Sequence, residues 1–354
     1  MKKKSLPFNP FPEKTYFIAD IAANHDGSLG RAKKLIHEAA AAGANAAKFQ
    51  NFKADTIVSD RGFRDLGSKL SHQRNWTKSV VDVYREAELP IEWTSELVAT
   101  CEDAGVDYFT APYDLNFIDF FKDKMPFYKV GSGDITFLEG LQSIAKTGLP
   151  VLLATGASDL EEVEQAVGVF KKMNNPLVIM QCNTNYTGSD SNFSYLNLSV
   201  LAEYGKRFPN CGLGLSDHTP GHVAVLGAVA LGARYIEKHF TDDKQRTGPD
   251  HSFSLDAVDW KRMVDDTRLL ESAIGNGVKK VEENEKEAQI VQRRALRFAK
   301  NLPAGHKISN SDLIALRPIP NDGISPMRIN EILGKRLSKA VDFDESVTLD
   351  HFND

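Results

Sequence analysis

The chain has 354 residues, 42% of them hydrophobic and 26% charged, with a formal net charge of −5. That length accommodates one large domain of about 250 residues and a small second one. The acidic balance excludes a basic nucleic-acid footprint, and no stretch reaches the roughly 20 apolar residues of a membrane span.

Residues 1–15, beginning MKKKSLPFNPFPEK, start basic but carry three prolines and no apolar core, so they read as an exposed arm rather than a signal peptide. From 16 to 275, short β-branched or aromatic runs alternate with amphipathic stretches. Strands are expected at 16–22, 46–52, 106–112 and 127–133, then at 150–156, 177–186, 211–217 and 234–240. Helices such as 30–43 and 159–173 lie between them, several ending at a glycine suited to a C-cap. Eight strand–helix units in this order describe an α/β protein, a (β/α)8 TIM barrel with a parallel sheet. One connection is long. Residues 53–90 separate the second strand from its helix, as a lid or binding loop would. Residues 276–292 are charged and poorly apolar, a linker. Residues 293–354 break into short strands and turns, a mostly-β domain small enough to need support from the barrel or a second chain. Cys101, Cys182 and Cys211 have no metal-ligand spacing. Cys182 and Cys211 lie in strand-like runs as packing thiols, and the compartment is reducing, the cytoplasm.

In barrel enzymes the C-terminal strand ends and the following loops carry the chemistry, and strand parity decides which side chains cooperate. Lys48 and Gln50 share a face of the second strand, and Lys129 points with Gly131 on the fourth. Ser216 shares a face with His218 on the seventh strand, and Glu237 with His239 on the eighth; Lys238 has the opposite parity and faces the helices. His218 and His239 each close an apolar run before turn residues, so two neutral imidazoles can converge on one divalent cation. The two lysines suit a phosphate or carboxylate. The GSGD turn at 131–134 and the TG turn at 155–156 let backbone N–H groups approach its oxygens. The pattern describes an anionic ligand beside a metal that polarises a carbonyl. A Schiff-base role for Lys48 or Lys129 is the other reading; it needs no metal, and the paired histidines argue against it. His25 either joins the site or caps its own turn, and His251 is as readily structural as catalytic. Asp217 orients His218 or its loop. His222 opens a helix and takes no role, and Arg293 and Arg294 belong to a solvated surface.

The blocks NHDGS (24–28), GLSDHT (214–219), EKHFT (237–241) and GPDHSFSLD (248–256), with ANAAKFQ (44–50), YKVGSGDI (128–135) and LATG (153–156), resemble the sialic acid synthase family. That family includes the N-acetylneuraminate, legionaminic and pseudaminic acid synthases. LRPIPNDGISP (316–326) and LGKR (333–336) resemble its C-terminal antifreeze-like (SAF) domain. The resemblance covers nearly the whole chain. It implies condensation of phosphoenolpyruvate with the aldehyde of an open-chain N-acyl hexosamine: C3 attacks, water adds at C2, and phosphate leaves by C–O cleavage. By the same resemblance His218 and His239 bind a divalent metal, Mn2+ or Mg2+. Lys48, Lys129, Ser132, Thr155, Thr184 and Ser216 contact phosphoenolpyruvate, and Asp20 and Asp134 occupy catalytic carboxylate positions. Gln50, Tyr113, Tyr186, Asp250 and Arg317 contact the sugar, with Arg317 arriving from the second subunit of a domain-swapped homodimer.

Five positions depart from the family's pattern. Asp20 and Asp134 replace glutamates, each shorter by one C–C bond, roughly 1.5 Å, which turns a direct hydrogen bond into a water-mediated one. Ala111, Ala154 and Thr184 replace a threonine, a serine and an asparagine. The loop text at 76–105 is closer to pseudaminic acid synthases and the GPDHSFSLD block to the neuraminate and legionaminate side, so the acceptor stays open. The alternatives are the same chemistry on another aldehyde, or a non-catalytic carbohydrate- or ice-binding protein; the two lysines and two histidines speak against the latter.

Overall fold

The computed structural model describes residues 8–352. Eight strands form one parallel sheet: β1 (Tyr16–Asp20), β2 (Ala46–Asn51), β3 (Asp107–Pro112), β4 (Tyr128–Val130), β5 (Val151–Ala154), β6 (Leu177–Cys182), β7 (Gly212–Asp217) and β8 (Tyr235–His239). Their order is β3-β2-β1-β8-β7-β6-β5-β4. Every expected strand is present, some shorter than expected. β3 and β4 lie against each other without a ladder among the described residues. Pro112 ends β3 and has no N–H to give, and β4 is only three residues long. Rings close the seam instead, with the Phe109 and Phe127 centroids 4.6 Å apart. The fold is the expected barrel.

The strands are largely buried on both faces, as a position between a barrel interior and a helical ring demands; all six residues of β6, LVIMQC, are buried. Some of the connecting helices start where side chains cap them. Ser28 accepts from the Arg31 N–H ahead of Leu29–Ala41, and Asp159 forms a capping box with Glu162 ahead of Leu160–Lys172. The long 53–90 connection holds short helices, Ala54–Ile57, Asp60–Asp65 and Val80–Ala87, before the barrel helix Thr94–Ala104.

The arm expected to be exposed is in part a plug. Residues 1–7 lie outside the described ones. Phe8 sits 5.6 Å from Phe127 and 5.7 Å from Tyr235, at the starts of β4 and β8. Tyr235 Oη donates to the Asn9 carbonyl at 2.7 Å. A side chain on Gly212 would come within 2.2 Å of the Pro10 carbonyl, so only glycine lets the arm cross β7. Aromatic burial at the N-terminal end of the barrel, invisible in the local charge pattern, overrides the polar start.

A second unit begins at Asn276. Its antiparallel pair, β9 (Ala295–Phe298) and β10 (Leu313–Leu316), packs with Leu302, Ile308, Ile324, Ile332 and Val347 in a core of its own. The expected linker ends in a helix, Lys286–Gln292, tied to this unit by the Ile319 N–H donating to the Ile290 carbonyl at 3.1 Å. Among the described residues no helix is long and apolar enough to cross a membrane.

Candidate active site

Register decides what meets inside the barrel. Asp20 lies opposite Lys48 on β2 and His239 on β8, Ser216 opposite Glu237, and Cys182 opposite Ser216. Side chains opposite one another in a sheet share a face, so this set points into the barrel near its C-terminal mouth. Lys48 Nζ sits 2.7 Å from Asp20 Oδ2 and 2.9 Å from Glu237 Oε1. Lys129 Nζ is 3.4 Å from the same Glu237 oxygen, and Ser216 Oγ donates to it at 3.1 Å. All five side chains are buried.

Two lysines and two carboxylates balance, but not evenly. Burial alone would raise the Glu237 carboxyl, yet Lys129 and Lys48 outweigh it and hold it below the usual range. Asp20 is pushed up by burial and by Glu237, which together outweigh Lys48. Asp20 is therefore the first of the two to take up a proton. Burial would lower Lys48, but Asp20 and Glu237 hold its ammonium above the ordinary lysine range. Lys129, with a share of one carboxylate, is lowered, mainly by burial. Lys48 and Gln50 both reach the shorter Asp20 directly, Gln50 Nε2 donating at 3.2 Å.

His218 and His239 do converge, with ring centroids 5.4 Å apart. His218 Nδ1 is 3.1 Å from the Asn183 carbonyl, a contact that orients the ring and frees its other nitrogen. Among the described residues His239 Nδ1 is buried without a hydrogen-bond partner, 3.9 Å from Asp250 Oδ2, and Nε2 is 3.6 Å from Asp20 Oδ2. Burial holds His239 down at about 3, so it is neutral at pH 7 with a lone pair to offer. These are ligand-like histidines. Among the described residues no three His, Cys, Asp or Glu side chains gather as a metal cage. A cation here would take two protein nitrogens and leave its other positions to substrate and water, as open catalytic sites do.

The strand ends of β4, β5 and β6 form a second cradle. The Gly156 N–H donates to Ser132 Oγ at 2.9 Å. A Cβ on Gly156 would stand 1.9 Å from Thr184 Oγ1 and 3.0 Å from Cys182 Sγ, so the glycine keeps this crevice open. Cys182 is buried, as expected, and it faces inward, its Sγ 3.9 Å from His218 Nδ1. Thr155 is turned the other way. Its hydroxyl donates to the Met180 carbonyl at 3.1 Å and meets Tyr204 Oη at 3.1 Å, on the helix side of the sheet. Tyr113 lies under the Gly131 turn, where a Cβ would come within 2.6 Å of its hydroxyl. Tyr186 covers His218 with centroids 4.3 Å apart. Asp250 accepts from the Ala23 N–H at 3.1 Å. Arg317 is exposed in the second unit.

Asp134 borders a narrow space of about 20 Å³ at the β3–β4 seam, lined also by Lys129, Phe137 and Leu141. Burial raises its carboxyl to about 6. A folded pKa above the unfolded value means stability present at low pH and lost as pH rises through the folded pKa. Asp134→Asn should therefore gain on the order of 2 kcal/mol in urea denaturation at about pH 8 and nothing at about pH 3. No gain at either pH would place the carboxyl in water.

The remaining candidates have structural duties. His25 Nδ1 accepts from the Gly27 N–H at 3.1 Å, the capping alternative. His251 bridges Thr241 Oγ1 at 2.8 Å and Asp26 Oδ1 at 3.0 Å. Asp217 accepts from the Thr219 N–H at 2.9 Å and from Lys238 Nζ at 2.6 Å, so it fixes the loop and not the His218 ring. His222 pairs with Asp266 at 2.8 Å. Arg293 and Arg294 are exposed. Glu237 is the member that sequence reasoning passed over. Its inward parity with His239 was the available signal, since a carboxylate inside a barrel needs cations and two inward lysines were in view.

A parallel barrel with balanced buried charges and two ligand-like histidines at its C-terminal mouth, followed by a small β unit, has the build of a barrel synthase that works on an anionic substrate. The NeuB family pattern matches residues 35–279, and the SAF domain pattern matches 293–353. The chain belongs to the NeuB family. It is 34% identical to the N,N'-diacetyllegionaminic acid synthase of Campylobacter jejuni, over 95% of this chain and 99% of that one. It is 33% identical to the pseudaminic acid synthase of the same species, over 95% and 96%. Among solved structures it is similar to an N-acetylneuraminic acid synthetase from Leptospira borgpetersenii in complex with citrate. That likeness has a TM-score of 0.67 and 28% identity, and spans 78% of this chain and 90% of that one.

Proposed function

We propose that this chain condenses phosphoenolpyruvate with the aldehyde of an N-acyl hexosamine, N-acetylmannosamine or a bacterial diacetamido analogue, releasing phosphate and a nine-carbon acid. The observation that carries the reading is the shared Glu237 oxygen between Lys48 and Lys129. It stores two ammonium groups in a buried site until a polyanion arrives to take them over. Lys48 and Lys129 then bind the phosphoenolpyruvate anion, and Ser132, Thr184 and the Gly156 N–H supply donors at the neighbouring crevice. Ser216 keeps Glu237 oriented while the lysines turn to the substrate. Thr155 contributes through the backbone turn it anchors.

His218 and His239 would hold Mn2+ or Mg2+, whose chemistry is to polarise the sugar aldehyde. Asp20 beside His239 gives a proton to the aldehyde oxygen as C3 of the enol forms the new bond. Asp134, titrating near neutrality, takes the proton of the water that adds at C2. Gln50, Tyr186, Tyr113 and Asp250 orient the sugar. In this reading the protein is a homodimer in which exposed Arg317 of one subunit reaches the sugar held by the other, and it works in the cytoplasm. The test is phosphate release from phosphoenolpyruvate by the full chain. Release should require both an N-acyl hexosamine and a divalent cation; release without the sugar would contradict the reading.

A further inference from the structure

Residues 241–250, after β8, form neither helix nor strand, yet they bring Asp250 Oδ2 to within 3.9 Å of His239 Nδ1. One carboxylate from the turn after β1 holds this loop in place. Arg246 donates to Asp26 Oδ2 from Nη2 at 2.6 Å and from Nε at 2.9 Å, and His251 Nε2 meets Asp26 Oδ1 at 3.0 Å. The other nitrogen of the His251 ring lies 2.8 Å from Thr241 Oγ1, so one ring joins both ends of the loop. Arg31, with Nε 3.2 Å from Asp26, also donates to Asp242 Oδ2 from Nη1 at 3.0 Å. Burial would raise the Asp26 carboxyl, but His251 and Arg246 outweigh it and hold it below the usual range.

We propose that Asp26 is a positioning residue: its clasp on Arg246 and His251 holds the 241–250 loop beside the histidine pair and sets Asp250 for the acceptor. The inference rests on the phosphoenolpyruvate-dependent reading above, in which Asp250 orients the sugar, and adds the residues that orient Asp250. The turn is built to be the fixed half of the clasp. Asn24, fully buried, donates from Nδ2 to the Phe240 carbonyl and to Ser254 Oγ, each at 2.9 Å. The Ala23 N–H of the same turn donates to Asp250 Oδ2 at 3.1 Å, so the turn grips both the loop and its working carboxylate. Asp26 itself has φ 49°, in the left-handed region that Asp, Asn and Gly enter more readily than other residues. The loop's far side is tied separately, Lys244 to Asp256 at 3.1 Å. A positioning group that drifts by roughly 1 Å costs on the order of a hundredfold in rate, which is the scale on which a loosened loop would be felt.

The test uses the full chain with Mn2+ and two readouts, the KM for each substrate and hydrogen exchange of the 242–250 amides. Asp26→Gly removes the carboxylate without straining the backbone, and Asp26→Asn keeps its shape. In Asp26→Gly the KM for the N-acyl hexosamine should rise at least about tenfold while that for phosphoenolpyruvate stays within about twofold. Asp26→Asn should fall between that variant and the native chain, and Arg246→Met should shift the same KM in the same direction. Exchange of the loop amides should speed up at least about tenfold in Asp26→Gly. An unchanged sugar KM, or KM values that rise together for both substrates, overturns the inference and leaves the reaction standing. If the native chain turns over no acceptor, the reaction falls and exchange alone decides the clasp: loop amides no faster in Asp26→Gly overturn it.

Discussion

Replacing Glu237 with glutamine is expected to destabilise the barrel by about 3–5 kcal/mol, the cost of leaving buried charge uncompensated. One Glu237 oxygen serves Lys48 at 2.9 Å, Lys129 at 3.4 Å and Ser216 at 3.1 Å, all buried. Glutamine keeps the shape and removes the charge. Lys48 retains Asp20, but among the described residues Lys129 keeps only the Val130 carbonyl at 3.2 Å. Lys129 must then discharge or draw in water. Urea denaturation at pH 7 reads the loss. A change below about 1 kcal/mol, the worth of an exposed pair, would mean that the three charges are not coupled as their distances indicate.

Substituting alanine for His239 is expected to reduce turnover by at least about a thousandfold, the rate equivalent of several kcal/mol of lost transition-state stabilisation. The fold should survive. His239 Nδ1 has no hydrogen bond to lose, and the ring lies at the mouth against Phe253 with centroids 4.9 Å apart. The second readout is Mn2+ binding by calorimetry, which should disappear in His239→Ala and in His218→Ala while each unfolds as a cooperative unit. Full activity in either variant would sink the assignment of these two side chains to a cation.

Most of the barrel was legible in the sequence because its signal is local and repeated. Period-two parity carried Lys48, Ser216, His218 and His239 to the correct face, and it put Lys238 on the other, where it meets Asp217. The same rule, followed one residue further along β5, would have caught Thr155. Leu152 lies opposite inward Lys129 and shares its face, so Thr155 has the opposite parity and meets Tyr204. Glu237 was seen on the right face but given no partner, since pairing requires the register between strands far apart in sequence. The contact of Cys182 with His218 was out of reach for the same reason. The Phe8 plug and the Asp26 clasp were beyond reach. Each joins segments without periodicity, and their side chains find one another only once the barrel has fixed the ends.

In the proposed reaction the buried lysine pair delivers phosphoenolpyruvate to a carbon–carbon bond-forming step, with phosphate leaving by C–O cleavage. The direct measurement uses phosphoenolpyruvate labelled with heavy oxygen at the bridging enol position, together with an N-acyl hexosamine and Mn2+. Mass spectra of phosphate and sugar are read from the same reaction. The proposed reaction puts the label in the phosphate and gives a sugar acid lengthened by three carbons. Unlabelled phosphate, or labelled phosphate with no lengthened sugar, would contradict it.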